Sequence, residues 1–209
     1  MRIAIVLVAV LLAASVSSAN PSPAWPVLFI DFDEDGLPDG DPVVDYIAPA
    51  PYTNISAYVG LSCTGTTPYD TFSAVSFGLN DIAAEYPGMA VLVTFENLMP
   101  GDLSVGDPFD GGITIATGDC VTTSCVFLGR VDFFYLGGWC CIEIRDHTDY
   151  PRWVVDCQDP GQVHYYCVGN NGSVGGATCA PGEDCGFYPC DNASPVEDIS
   201  WGAIKALYY

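Results

Sequence analysis

The chain has 209 residues, half of them hydrophobic, with 26 acidic against 5 basic residues and a formal charge of −21. That acidic excess excludes nucleic acid and anionic lipid as electrostatic partners, and the apolar half excludes an acidic disordered chain. The ten cysteines follow an N-terminal export pattern, so they read as a disulfide framework made in an oxidising compartment.

The export pattern is compact. Arg2 supplies the positive start, and residues 3–14 form an apolar run too short to span a bilayer. Ser17, Ser18 and Ala19 offer small residues for cleavage. A signal peptide is expected over 1–19, and a secreted or cell-surface chain after it. No later run approaches the roughly 20 apolar residues of a membrane helix, so no membrane span is expected.

The body of the chain reads as short strands. Runs rich in Val, Ile, Phe, Tyr and Thr cover 27–31, 55–61, 73–79, 90–96, 113–117, 126–135, 139–145, 153–157 and 163–168. Gly, Pro, Asp and Asn separate them. Alternation is clear where Val91, Val93 and Phe95 share one face, and where Ile142 and Ile144 oppose Glu143 and Arg145. This pattern predicts an all-β chain, an antiparallel β-sandwich of Ig-like or jelly-roll-like type, stapled by disulfides. Leu136-Gly137-Gly138 predicts a hairpin joining 126–135 to 139–145.

The expected organisation is a sandwich domain over 20–169 and a Cys/Gly/Pro-rich appendage over 170–194. A short C-terminal helix or tail follows over 195–209. Ser194-Pro195-Val196-Glu197 has capping-box spacing with proline at the first helical position. Val196, Ile199, Ala203 and Leu207 then recur at helical spacing.

Residues 31–39, Asp-Phe-Asp-Glu-Asp-Gly-Leu-Pro-Asp, fit D-x-D-x-D-G-x-x-D. Calcium takes six to eight hard oxygens, and alternating aspartates on a tight turn supply several of them. The spacing resembles the calcium loops of EF-hands and thrombospondin type 3 repeats. That resemblance implies Asp31, Asp33, Asp35 and Asp39 as side-chain ligands and Leu37 as a carbonyl ligand, with calcium as a structural ion. The twelfth position is Pro42 where an EF-hand has glutamate, so Asp41 or Asp45 would have to substitute. Strand-like, Pro-rich flanks exclude an EF-hand itself. A solvated acidic turn is the competing reading. Asp102, Asp107 and Asp110 form a weaker second candidate.

Cys63 stands alone in the first half. The others are Cys120, Cys125, Cys140, Cys141, Cys157, Cys167, Cys179, Cys185 and Cys190. Ten cysteines leave the connectivity open. Cys120 and Cys125 suggest a loop-closing staple. Cys140 and Cys141 are adjacent on a strand and need different partners, one facing the core and one outward. Cys179, Cys185 and Cys190 are expected to pin the appendage with Cys167. Zinc is disfavoured, because the spacings and the two histidines do not make a ligand set. The even count leaves no free thiol in this reading.

No catalytic signature is present: no G-x-S-x-G, H-E-x-x-H, P-loop or G-x-G-x-x-G. His147 lies between Asp146 and Asp149 with no nucleophile in sequence reach, and His164 is the only other histidine. A secreted hydrolase remains only as a distant alternative. Trp139, Tyr150, Trp153, Tyr165 and Tyr166 fall on or near adjacent predicted strands. As core residues they are ordinary. As exposed rings they would make a carbohydrate-binding module, and burial separates the two readings.

Three segments carry a broader resemblance: 134–138 with Cys140-Cys141, His147 with 149–157, and 200–208. Together they are similar to a group of uncharacterised secreted bacterial proteins. The resemblance implies an exported bacterial protein and transfers no functional residue. The expected role is extracellular, structural or adhesive, with an extracellular protein or polysaccharide as partner.

Overall fold

The sequence Val-Leu-Phe-Ile-Asp forms β1 (Val27–Asp31), and all five side chains are buried. A strand apolar on both faces must be covered on both. Leu28 and Ile30 enter the main core. Phe29 points the other way and lies over Gly60, its cross-strand partner. A Cβ on Gly60 would stand 2.1 Å from the Phe29 ring, so this close approach requires glycine. The computed structural model describes residues 26–36, 44–62, 71–99, 103–122, 125–158, 160–183 and 185.

The remaining elements, in chain order, are β2 (Val44–Ile47), β3 (Thr53–Ser62), β4 (Phe72–Leu79), α1 (Ile82–Glu85), β5 (Ala90–Asn97), β6 (Leu103–Asp107) and β7 (Gly112–Val121). They are followed by β8 (Cys125–Tyr135), β9 (Cys140–Ile142), β10 (Ile144–Arg145), β11 (Trp153–Val155), β12 (Val163–Tyr165), β13 (Cys167–Val168) and β14 (Asn171–Val174). One sheet has the order β13-β1-β3-β8-β5. The second runs β12-β11-β4-β7-β6, with β10 pairing β4. A small third sheet is β2-β14-β9. The fold is therefore an all-β, disulfide-bonded sandwich. Most ladders are antiparallel, but β1–β13 and β14–β2 are parallel.

The core lies between the two large sheets. Ile55, Ala57, Val59 and Leu61 of β3 alternate inward, as do Val75, Phe77 and Leu79 of β4 and Ile113 and Ile115 of β7. Phe77 and Phe95 meet edge-on across the layers, with centroids 6.1 Å apart. The expected strands at 27–31, 55–61, 73–79, 90–96, 113–117 and 126–135 all lie within observed ones.

Three expectations change. The predicted hairpin across 136–138 does not form: β8 pairs β3 and β5, whereas β9 pairs β14. Gly137 and Gly138, both at positive φ, carry the chain from one sheet to another instead. The strand expected over 139–145 splits into β9 and β10. Buried Asn80 supports the break, donating Nδ2–H to the Cys141 carbonyl at 3.0 Å and accepting the Glu143 N–H at 2.7 Å. Likewise 163–168 splits at buried Tyr166, whose N–H donates to the Arg152 carbonyl.

The appendage boundary at 170 also shifts. Residues 171–174, Asn-Gly-Ser-Val, are the fully buried strand β14. Gly172 packs directly against Ile30 and Phe32, where a Cβ would come within 2.8 Å of Ile30. A Gly- and Asn-rich run therefore serves as core here because its backbone, not its side chains, fills the space. The C-terminal helix expected over 195–209 and the leader over 1–19 lie outside the described residues.

Three disulfides join described pairs: Cys120–Cys157, Cys141–Cys179 and Cys167–Cys185. The expected Cys120–Cys125 staple is replaced, because β7 and β8 belong to different sheets. Cys125 is disulfide-bonded as well, while Cys63 and Cys190 lie outside the described residues. Cys140 and Cys141 do part company as adjacent strand residues must, yet both are buried. Cys141 bonds Cys179, and Cys140 keeps a free thiol in the core, which burial pushes up to about 11.

Candidate functional site

The acidic loop begins where β1 leaves the core. Asp31 is fully buried and turns its carboxylate back over the loop. Its Oδ1 accepts the N–H groups of Asp33 (2.9 Å) and Glu34 (2.8 Å), and its Oδ2 accepts that of Gly36 (2.6 Å). Gly36 has φ 78°, the left-handed conformation that the turn requires. Burial pushes the Asp31 carboxyl up to about 7 against the pull of these three amides, and the charge of Asp33 raises it further.

Asp33 and Asp35 are exposed, and one carboxylate oxygen from each of Asp31, Asp33 and Asp35 lies within 4.8 Å of the others. Asp45 reaches the start of the loop from β2, where it is buried and accepts the Phe32 N–H at 2.9 Å. Of the two residues named as substitutes at the loop's end, Asp45 is thus brought to the loop. Asp41, Leu37 and Asp39 lie outside the described residues. The described oxygens are hard donors of the kind calcium takes.

The five aromatics divide. Tyr166 is 2% exposed and belongs to the core, which removes it from any binding surface. Trp139 is exposed but packs edge-on against Tyr86, with centroids 5.5 Å apart. Tyr150, Trp153 and Tyr165 come together. Trp153 and Tyr165 are direct cross-strand partners on β11 and β12. The Tyr150 ring lies 5.1 Å from Trp153 and 5.3 Å from His147. Tyr150 and Tyr165 are 46% and 53% exposed, and Trp153 is half-buried.

These rings end a larger surface. Val75, Ile115 and Val154 of the second sheet point into the core, so their neighbours point out. Ladder pairing sets Val163, Val155, Ala74, Ala116 and Leu103 in one row across β12, β11, β4, β7 and β6. The adjacent row holds Tyr165 and Trp153 at one side and Ser76, Thr114 and Val105 at the other. None of these ten residues is charged. The two central strands carry only small side chains, with Ser76 Oγ and Thr114 Oγ1 bonded to each other at 2.8 Å. Leu103 and Val105 at one edge are 67% and 60% exposed.

Sequence reading found the three rings but missed the other residues of this face. Strand alternation at 73–79 and 113–117 carried a signal for the central ones. Residues 103–107 fall outside every strand expected from sequence, yet they form β6. Cys120–Cys157 ties the end of β7 to the residue two beyond β11 and so closes one rim of the face.

The histidines are used structurally. His147 is buried and its Nδ1 accepts the N–H groups of Asp149 and Tyr150 at 3.0 and 3.3 Å, which pins the ring beneath Tyr150. His164 Nε2 lies 2.8 Å from Asp156 Oδ2. Burial alone would raise the Asp156 carboxyl, but the Gln162 amide, His164 and the Gln158 amide outweigh it and hold the carboxyl below its ordinary range.

No family model and no curated protein matches the sequence. Among solved structures the chain is similar to the seventh ScaB type I cohesin of Pseudobacteroides cellulosolvens, at 12% identity and TM-score 0.44, covering 76% of this chain and 96% of that one. A non-cellulosomal cohesin from the hyperthermophilic archaeon Archaeoglobus fulgidus matches at 11% and 0.41, covering 72% and 90%. A cohesin module of a family 33 glycoside hydrolase from Clostridium perfringens matches at 13% and 0.42, covering 71% and 98%. None of these matches assigns a functional residue. Among the described residues, no helix is long and apolar enough to cross a membrane.

Proposed function

We propose that this chain is a non-catalytic extracellular binding module that holds carbohydrate on Tyr150, Trp153 and Tyr165. The exposure of the three rings as one cluster carries the reading. A contiguous exposed aromatic patch marks an interaction surface. Tyrosine and tryptophan offer an apolar plane with a polar tip, which suits the C–H face of a pyranose ring and its hydroxyl rim. The disulfides fit an oxidising compartment.

The test is a glycan-array and polysaccharide pull-down comparison of the wild type with Trp153→Ala and Tyr165→Ala. Each variant is expected to lose about 5- to 150-fold in affinity, at about 1–3 kcal/mol per stacked ring by analogy with base stacking. Binding that survives both changes would remove the rings from the site.

A second proposal concerns calcium, held structurally by Asp31, Asp33 and Asp35, with Asp39 and the Leu37 carbonyl completing the set. The close approach of the three carboxylates supports it. So does the buried position of Asp31, whose desolvated charge a cation would offset. At a calcium concentration a hundred times Kd, the fold should gain about 2.7 kcal/mol, a melting rise of roughly 5–10 °C for a chain of this size. Asp33→Ala with Asp35→Ala should abolish the rise. A wild type whose melting is indifferent to millimolar calcium ends the proposal.

A further inference from the structure

The rings occupy one side of a surface that is uncharged throughout its two registered rows. Five strands spaced about 4.8 Å apart make this face roughly 19 Å wide. It holds Tyr165, Trp153 and Val163 at one side, Ala74, Ser76, Thr114 and Ala116 in the middle, and Leu103 and Val105 at the other. Large side chains thus flank a floor of small ones. The hydroxyls of Ser76 and Thr114 bond each other and Ser76 is itself buried, so the floor open to a ligand is Ala74, Thr114 and Ala116, half-buried and uncharged. All 26 acidic and all 5 basic residues lie outside these two rows in a molecule of formal charge −21.

We infer that the ligand, on the carbohydrate reading above, is a neutral polysaccharide laid as an extended chain across the whole face, with the rings as one anchor and β6 as the opposite flank. The inference rests on that reading and narrows it. A negatively charged glycan would be repelled by the molecule's overall field and would meet no cation among the ten face residues. A cationic polymer would find more favourable ground on the acidic surfaces. An uncharged chain loses nothing on a neutral floor and gains apolar contact along the full width. A short sugar would use only the rings.

The experiment measures depletion from solution by insoluble cellulose and insoluble chitin, and affinity for their soluble disaccharides and for alginate. The full chain is used, at 0.05 and 0.5 M salt. Expected are binding to at least one neutral polymer, tenfold or more above its disaccharide, little change with salt, and no binding to alginate. Thr114→Glu and Val105→Glu should each weaken polymer binding at least tenfold and leave disaccharide binding unchanged. Thr94→Glu, exposed on the other sheet, should bind as wild type. Val105 is on an exposed edge strand, so its variant remains informative if Thr114→Glu fails to fold.

Polymer binding untouched by Val105→Glu, or a disaccharide bound as tightly as the polymer, overturns the extended-chain inference and leaves the ring site standing. Alginate bound in place of the neutral polymers overturns the neutral class alone. No binding to any glycan sinks both this inference and the carbohydrate reading.

Discussion

The two outward faces of the sandwich are built by the same pleat and could hardly differ more. On the first sheet, ladder pairing places Ser56, Asp132 and Thr94 in one row and Tyr58, Arg130 and Glu96 in the next. Arg130 bonds Asp132 at 2.9 Å and Glu96 at 2.7 Å, and Ser56 donates to Asp132 at 2.6 Å. On the second sheet the equivalent rows hold alanine, valine, serine, threonine and rings. In these two rows the first face satisfies itself, its charges paired and its polar groups bonded, although Leu92 of the same sheet stands 79% exposed at the β5 edge. The second leaves apolar area open. The contrast teaches that the surface awaiting a partner is the one without charges of its own to neutralise.

The sharpest way to break the contrast is to cut the staple that serves only one face. Replacing Cys120 and Cys157 by serine opens a loop spanning 37 residues, which loop-closure entropy values at about 4 kcal/mol. The melting temperature should fall by roughly 8–16 °C, and carbohydrate binding should weaken even at temperatures where the protein stays folded. A variant that melts lower but binds unchanged would detach the rim from the site.

A smaller effect should come from acid. Asp156 follows β11 and its carboxyl is held low in the fold, so its contribution is present above the usual carboxylate value of 3.8 and is lost as pH falls through the lower folded value. Asp156→Asn should flatten the stability profile below about pH 4 and leave the neutral-pH binding surface in place. An unchanged acid limb in urea titrations would show that the His164 and amide contacts contribute nothing.

The smallest effect belongs to the paired face. Arg130→Met removes two exposed ion pairs, which are worth little when solvent screens them. Melting and carbohydrate binding should both match the wild type within error. A loss of binding would show that the ligand reaches the first sheet, and the two-face distinction would fall.

Much of this was legible in the sequence where local pattern decides the outcome. The run at 27–30 is apolar throughout and became a strand buried on both faces. Strand-rich runs at 90–96 and 126–135 located β5 and β8, but a bulge at Leu92 (φ 57°) turns Val91 to the face opposite Val93 and Phe95, which the simple alternation did not foresee. Asp31, Asp33 and Asp35 were named from spacing, and the loop does gather them. The hairpin at 136–138 failed because a glycine pair permits a turn without choosing the strand's next neighbour. The four-residue helix α1 is too short to show a period, although its Asp81 cap accepts the Ala84 N–H as capping chemistry predicts. Asn171-Gly172-Ser173 looked like a loop because composition reports side chains, whereas this strand is held by its backbone.

The aromatics show the same limit at the site. The residues at 150, 153 and 165 were identified as core or binding from sequence, and they stay open because no described element packs over them. The same step buried Tyr166, one residue along the chain. Cysteine pairing was equally closed to inspection, since Cys120 and Cys157 meet only after β4 has been placed between their strands. Sequence alone determined most of the long strands, the acidity and the acidic turn, because those depend on neighbours within a few residues. Tertiary structure decided which face is covered, which thiol stays free and which rings remain open, because each depends on segments far apart in the chain meeting in space.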